Sequence, residues 1–218
     1  EAGSWWWTTK TRFAPFWPDC WRRNPCPAPS NTLDCIPSDG LSHSIGTVLS
    51  APDGTLWIGS GDAADFGRVD PLAFRTYDER SMAGKILHVD RDGRGLPGHS
   101  FCPADNDLTH VCTKIHSKGF RNPFRFKLRP NGGLTVGDVG WNTREEVDLI
   151  GTPGRSYGWP CYERTIRTPG YRDRAECTAE YAKEGTPSAH VGPQHDYQHG
   201  SSGNAAMGGP EYRGSEYP

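Results

Sequence analysis

The sequence predicts an all-β chain built as blades of a β-propeller. Three observations predict it: short strand-like runs bounded by D-G and N-G turns, one hairpin motif that recurs, and no window with a sustained helical period. Thr47, Val48 and Leu49 lead through Pro52-Asp53-Gly54 into Thr55-Leu56-Trp57-Ile58. Lys85-Ile86-Leu87-His88-Val89 leads into Asp92-Gly93. Phe124-Arg125-Phe126-Lys127-Leu128 leads through Pro130-Asn131-Gly132-Gly133 into Leu134-Thr135-Val136. Such turn dipeptides supply the positive φ that a tight hairpin needs. The one helical candidate, residues 66–82, is interrupted by Pro71. The repeat is A-P-D-G-T-L-W-I-G at 51–59 against R-P-N-G-G-L-T-V-G at 129–137, an offset of 78 residues. A recurring hairpin in an all-β chain suggests a radial array of four-stranded blades, the alternative being chance similarity between two hairpins. The offset exceeds the ~40–50 residues of a common blade, so a long insertion is expected between strands, over residues 90–117.

Two regions are expected. Residues 1–40 read as an irregular leader rich in Pro, Trp and Cys, and residues 41–218 as a partial propeller. The 27 glycines and 19 prolines then act as hairpin punctuation, and the 24 aromatic residues argue against disorder. A formal charge of −2 gives no electrostatic footprint for nucleic acid. No apolar run reaches the ~18 residues of a membrane-spanning helix. The chain starts without Met or a signal-type segment and stops in a turn-rich stretch; either a signal has been removed or, the favoured expectation, it is a piece of a longer protein.

Seven cysteines are present, none in a C-x-x-C pair, which speaks against a zinc ribbon or a thioredoxin-type motif. Cys102 and Cys112 flank one polar loop, and Cys161 and Cys177 flank another. Two local disulfides and an oxidising, secreted or periplasmic location suit them; unpaired buried thiols are the alternative. Cys20, Cys26 and Cys35 belong to the leader, and an odd number leaves one without a partner inside this chain.

Four clusters carry residue types suited to chemistry. His43, between two serines, precedes a strand, and Asp62 follows the next hairpin. A propeller brings such ends together, and a carboxylate that fixes an imidazole tautomer makes a general base. The plainer reading is a capping His and a turn-forming Asp. Arg121 and Asn122 in G-F-R-N-P-F offer a donor fork and an amide for anionic or carbonyl oxygens, against the alternative of a surface turn. The Gly- and acid-rich segment from Gly137 to Glu146 suggests hard-cation chemistry, although the EF-hand spacing is absent. The turn Tyr157-Gly158-Trp159-Pro160-Cys161 reads as structural. His190, His195 and His199 lie close in sequence but lack any H-E-x-x-H helix, so no zinc site is expected there.

Taken in order, S-H-S-I-G at 42–46, A-P-D-G-T-L-W-I-G-S-G-D at 51–62, G-K-I-L at 84–87, G-F-R-N-P-F at 119–124, G-D-V-G at 137–140 with Glu145-Glu146, and Y-G-W-P at 157–160 resemble the glucose/sorbosone dehydrogenase family. A weaker match continues through residues 208–214. These are soluble quinoprotein sugar dehydrogenases with a six-bladed β-propeller. The resemblance implies oxidation of an aldose-type sugar with hydride transfer to pyrroloquinoline quinone, then reoxidation by an external electron acceptor. It makes His43 the catalytic base and Asp62 its orienting acid, and it assigns Arg121 and Asn122 to the quinone. Gly140 and Trp141 fall where the family uses main-chain oxygens for calcium; some members have Pro where this chain has Trp141. Further basic residues that clamp the quinone lie beyond the last matched motif, so this chain alone is expected to hold part of the site. The family also contains secreted propellers of the Hedgehog-interacting-protein type, which bind carbohydrate or protein rather than turn over a sugar. Fold analogy alone does not separate the two.

Overall fold

A computed structural model describes residues 35–37, 39, 42–200 and 203–216. Nearly all of the expected leader, with Cys20 and Cys26, therefore lies outside the described residues.

The chain runs β1 (Ile45–Ser50), β2 (Leu56–Ser60), a 3-10 turn (Pro71–Thr76), β3 (Lys85–Val89), α1 (Val111–Lys114), β4 (Ile115–Lys118) and β5 (Pro123–Leu128). It continues through β6 (Leu134–Asp138), β7 (Arg144–Ile150), β8 (Arg155–Ser156), β9 (Tyr162–Glu163), β10 (Ile166–Arg167), α2 (Ala175–Tyr181) and β11 (His195–Gln198). Two blades result. The first is the antiparallel meander β1-β2-β3-β4 with β8 added parallel to β4, and the second is β5-β6-β7 closed by β11. β9 and β10 pair as a separate ribbon.

The repeated motif is the first hairpin of each blade. In one, Ala51 donates to Thr55 O at 2.8 Å and Gly54 to Ala51 O at 3.0 Å; in the other, Arg129 donates to Gly133 O at 2.7 Å and Gly132 to Arg129 O at 3.0 Å. The same two bonds form at Asp90 and Gly93. There, however, no strand returns at once: the chain makes an excursion over residues 90–114, closed by the Cys102–Cys112 disulfide, before β4 begins. The second expected disulfide, Cys161–Cys177, forms as well.

The blades meet along β1, β2 and β5. A Cβ at Gly46 would sit 2.5 Å from Phe124 O, and one at Gly59 would sit 2.7 Å from Pro123 O, so only glycine permits this approach. Thr47 Oγ1 donates to Phe124 O at 2.8 Å across the same seam. Trp57, Ile86, Phe120, Phe126, Val136 and Ile150 bury the core between the two sheets.

Helix differs from expectation. Residues 66–82 yield only the 3-10 turn: Pro71 opens it and Asp70 caps it by accepting from Leu72 N at 3.0 Å. The longest helix among the described residues, α2, lies where no helical period is visible, and its buried Cys177 fastens it through the disulfide.

Candidate active site at the shared strand ends

One end of both blades collects the residues of interest. His43 precedes β1 and Asp62 follows β2, and because Ile45 pairs with Ser60 the open end of this hairpin brings them together. Arg121 and Asn122 precede β5, and Gly140 and Trp141 follow β6, where Pro123 pairs with Asp138. Main-chain bonds stitch these ends: Gly61 N to Ser44 O (3.0 Å), Gly84 N to Gly61 O (2.8 Å), Phe120 N to Gly84 O (3.3 Å) and Asp62 N to Arg121 O (2.8 Å).

His43 Nδ1 lies 2.8 Å from Asp62 Oδ1. An ionised carboxylate only accepts, so Nδ1 carries the proton and Nε2 is left as an acceptor. Nε2 makes no hydrogen bond among the described residues. Asp62 is 1% exposed and both its oxygens are engaged: Oδ1 also accepts from Ala64 N at 3.1 Å, and Oδ2 accepts from Trp159 Nε1 at 2.8 Å. Both sides of the pair are held in the left-handed backbone region, with φ +52° at His43 and at Ala63. Strain of roughly 1–3 kcal/mol per such residue persists where surrounding contacts over-determine it, as at functional sites.

Asp138 holds the start of β5, accepting from Arg121 N at 3.0 Å through Oδ2 and from Asn122 N at 2.6 Å through Oδ1. Burial pushes its carboxyl up to about 7 against those two donors. The Arg121 guanidinium donates to the carbonyls of Val139 (2.9 Å) and Gly140 (2.6 Å) and lies 5.5 Å over the Trp159 ring. Burial lowers its affinity for the proton, while Asp62, Asp138, Glu163 and Glu145 favour the charge. The side-chain amide of Asn122, half-buried, makes no hydrogen bond among the described residues.

The β6–β7 turn is pinned by buried carboxylates. Glu145 Oε2 accepts from Gly140 N at 3.1 Å. Glu163 Oε1 accepts from Trp141 N at 2.5 Å and Asn142 N at 3.3 Å, and its other oxygen takes the Thr143 hydroxyl. The Gly140 carbonyl is engaged by Arg121, whereas that of Trp141 makes no hydrogen bond among the described residues. The Trp141 ring packs edge-on against Trp159 and Tyr171.

All six expected site residues thus share one end of the blades. Two contributors were not anticipated. Trp159, read as structural from its turn, donates to Asp62; the rigid aromatic turn was visible, its target was not. Glu163 carries no motif and reaches the site only through the β9–β10 ribbon. The three C-terminal histidines go elsewhere: His199 bonds Glu145, His190 stacks on Tyr162 and His195 lies in β11. Among the described residues the one close group of potential metal ligands is Cys102, Asp105 and Cys112, whose sulfurs are joined in the disulfide.

The glucose/sorbosone dehydrogenase family model matches residues 33–214. The chain is 36% identical over 137 residues to the HIPL1 protein of Arabidopsis thaliana, covering 56% of this chain and 19% of that protein. It is 33% identical over 162 residues to quinoprotein glucose dehydrogenase B of Acinetobacter calcoaceticus, covering 66% of this chain and 30% of the other. The chain therefore spans less than a third of either curated relative. Among solved structures, the PQQ-bound aldose sugar dehydrogenase of Streptomyces coelicolor superposes with a TM-score of 0.52 at 26% identity, over 75% of this chain and 38% of that one. An oxidoreductase from Thermus thermophilus, described as a glucose dehydrogenase, gives 0.54 at 24% identity over 79% and 42%, a likeness of fold. With two propeller-type blades, the ordered strand-end residues and a family match over most of its length, this chain belongs to the glucose/sorbosone dehydrogenase family.

Proposed function

We propose that this chain is the part of a quinoprotein sugar dehydrogenase that carries its proton-accepting dyad and one side of its cofactor site. The observation that carries the reading is His43, with Nδ1 held by Asp62 and Nε2 without a hydrogen bond among the described residues, at the strand ends that also bear Arg121 and Asn122. His43 Nε2 takes the proton of the sugar hydroxyl as the adjacent C–H leaves as hydride, so that one hydride, carrying two electrons, and one proton depart and a carbonyl forms. Asp62 keeps the tautomer and supports the imidazolium. Pyrroloquinoline quinone, when bound, supplies the two-electron acceptor, with calcium as a Lewis acid at its oxygens.

The donors here suit both groups. Arg121 and the Asn122 amide, which makes no hydrogen bond among the described residues, offer hydrogen bonds to quinone oxygens. Asp62, Asp138, Glu145 and Glu163 surround a single guanidinium, and the Val139 and Gly140 carbonyls already face that positive charge. An oxygen-only, electron-rich turn fits a hard cation, which the Gly140 and Trp141 carbonyls would hold. The two disulfides fit a secreted or periplasmic protein, and no described helix is long and apolar enough to cross a membrane. An external acceptor then reoxidises the cofactor.

The test uses the full-length protein loaded with the quinone and calcium, with dye reduction followed over a panel of aldoses. Turnover is expected, and His43→Ala should lower kcat by roughly 10²–10⁴-fold with unchanged circular dichroism. The HIPL1 similarity favours a second reading, a secreted binding propeller without turnover. Absence of quinone binding in the full-length protein would decide for it.

A further inference from the structure

We infer that Trp159 is a positioning residue that couples the proton-accepting dyad to the cofactor-facing arginine, an inference that rests on the function proposed above. Its indole N–H donates to Asp62 Oδ2 at 2.8 Å, opposite the oxygen that holds His43. Its ring lies beneath the Arg121 guanidinium at 5.5 Å. One side chain thus touches the acid of the dyad and the guanidinium that faces the quinone, while touching neither reacting atom itself.

The placement is over-determined. Trp159 N donates to Gly119 O at 2.9 Å, and Thr76 Oγ1 donates to Trp159 O at 2.8 Å, so the main chain is fixed on both sides. Trp141 and Tyr171 pack edge-on against the buried ring with centroids 6.1 and 5.3 Å away. Asp62 has no other side-chain donor for Oδ2 among the described residues. Without the indole, a buried carboxylate oxygen loses its partner, and only the two contacts on Oδ1, from His43 and Ala64 N, remain to set the Asp62 plane. The same ring favours charged Arg121 by a cation–π contact, so a single substitution should act on both groups but unequally according to what it keeps.

Phe at this position keeps a ring for Arg121 and removes the donor to Asp62; Leu removes both. In the full-length holoprotein, Trp159→Phe should lower kcat by roughly tenfold to a hundredfold, with sugar KM and quinone affinity within about twofold. Trp159→Leu should lower kcat and weaken quinone binding together. Independently of turnover, the indole N–H resonance of Trp159 in ¹⁵N-tryptophan-labelled full-length protein should shift between wild type and His43→Gln at one fixed pH, because the residue on the opposite oxygen of Asp62 has changed. That measurement needs no variant of Trp159 to fold. An indole resonance indifferent to His43, or a Trp159→Phe enzyme with wild-type kcat, overturns the coupling. If His43→Ala itself leaves turnover intact, the dehydrogenase reading fails first, and the two failures are told apart.

Discussion

Asp138 decides where the cofactor-facing residues stand, and it does so with a charge that burial opposes. Its carboxyl receives two main-chain donors, one per oxygen, so Arg121 and Asn122 leave the blade in fixed directions. Burial nevertheless pushes it up to about 7. A carboxyl raised in the folded state binds its proton more tightly there than in the unfolded chain, so stability from it is full below the ordinary carboxylate value and declines as pH rises through about 7. The span corresponds to an upper bound on the order of 4 kcal/mol. Asp138→Asn removes this dependence, and its amide NH₂ faces one of the two main-chain N–H groups. Its cost in urea unfolding should therefore be larger at pH 5 than at pH 8.5; a cost that is independent of pH would remove Asp138 as the titrating group. Glu146 and Asp148, raised mainly by burial, are raised further by the Asp138 charge, so its removal relieves them at high pH and acts in the same direction.

Elements were legible where local chemistry alone builds them. The hairpins around Asp53-Gly54 and Asn131-Gly132 need only positive φ and alternating residues, and both formed with identical turn bonds. Strand β7, R-E-E-V-D-L-I, was illegible because its carboxylates do tertiary work: Glu145 reaches Gly140 N, Ala206 N and His199, and Glu146 takes Arg164 N. Acids that satisfy distant main-chain donors look in sequence like a solvated or metal-binding run. The proximity of His43 and Asp62 was readable from the hairpin between them; the contact from Trp159, 97 residues away from Asp62, was not. Helix α2 was hidden for another reason. At seven residues it has little stability of its own, and Cys177 and Tyr181 bind it to Cys161 and Tyr162 beneath Trp159. Replacing Cys161 and Cys177 by Ser opens a loop of separation 16, which should lower unfolding free energy by about 3 kcal/mol in urea titrations. An unchanged midpoint would mean that the aromatic cluster alone holds α2.

At the scale of the whole molecule, the two blades are covered unequally. The inner face of the first carries Trp57 and Ile86 and is buried against the second. Its other face carries Leu87, Val89, Met82 and Ile115, partly shielded by Ile58 and Phe101. The bulge in β1 extends that face. Ile45 pairs with Ser60 and Val48 with Ile58, two residues apart on β2, so both side chains point to the same side. They are 46% and 54% exposed, on a strand that is the edge of its sheet among the described residues. A propeller covers such a face with a neighbouring blade, and the sugar dehydrogenase from Streptomyces coelicolor is matched over only 38% of its chain. An apolar stripe beside an open edge strand drives association when nothing covers it. The 218-residue chain should therefore self-associate with rising concentration in sedimentation velocity, and Ile45→Thr with Val48→Thr should return it to a monomer. In the full-length protein the same pair should instead lower stability by roughly 2 kcal/mol without changing the oligomeric state, because there the two side chains lose burial rather than a partner molecule. A 218-residue chain that stays monomeric with Ile45 and Val48 in place would show that this face is closed from within.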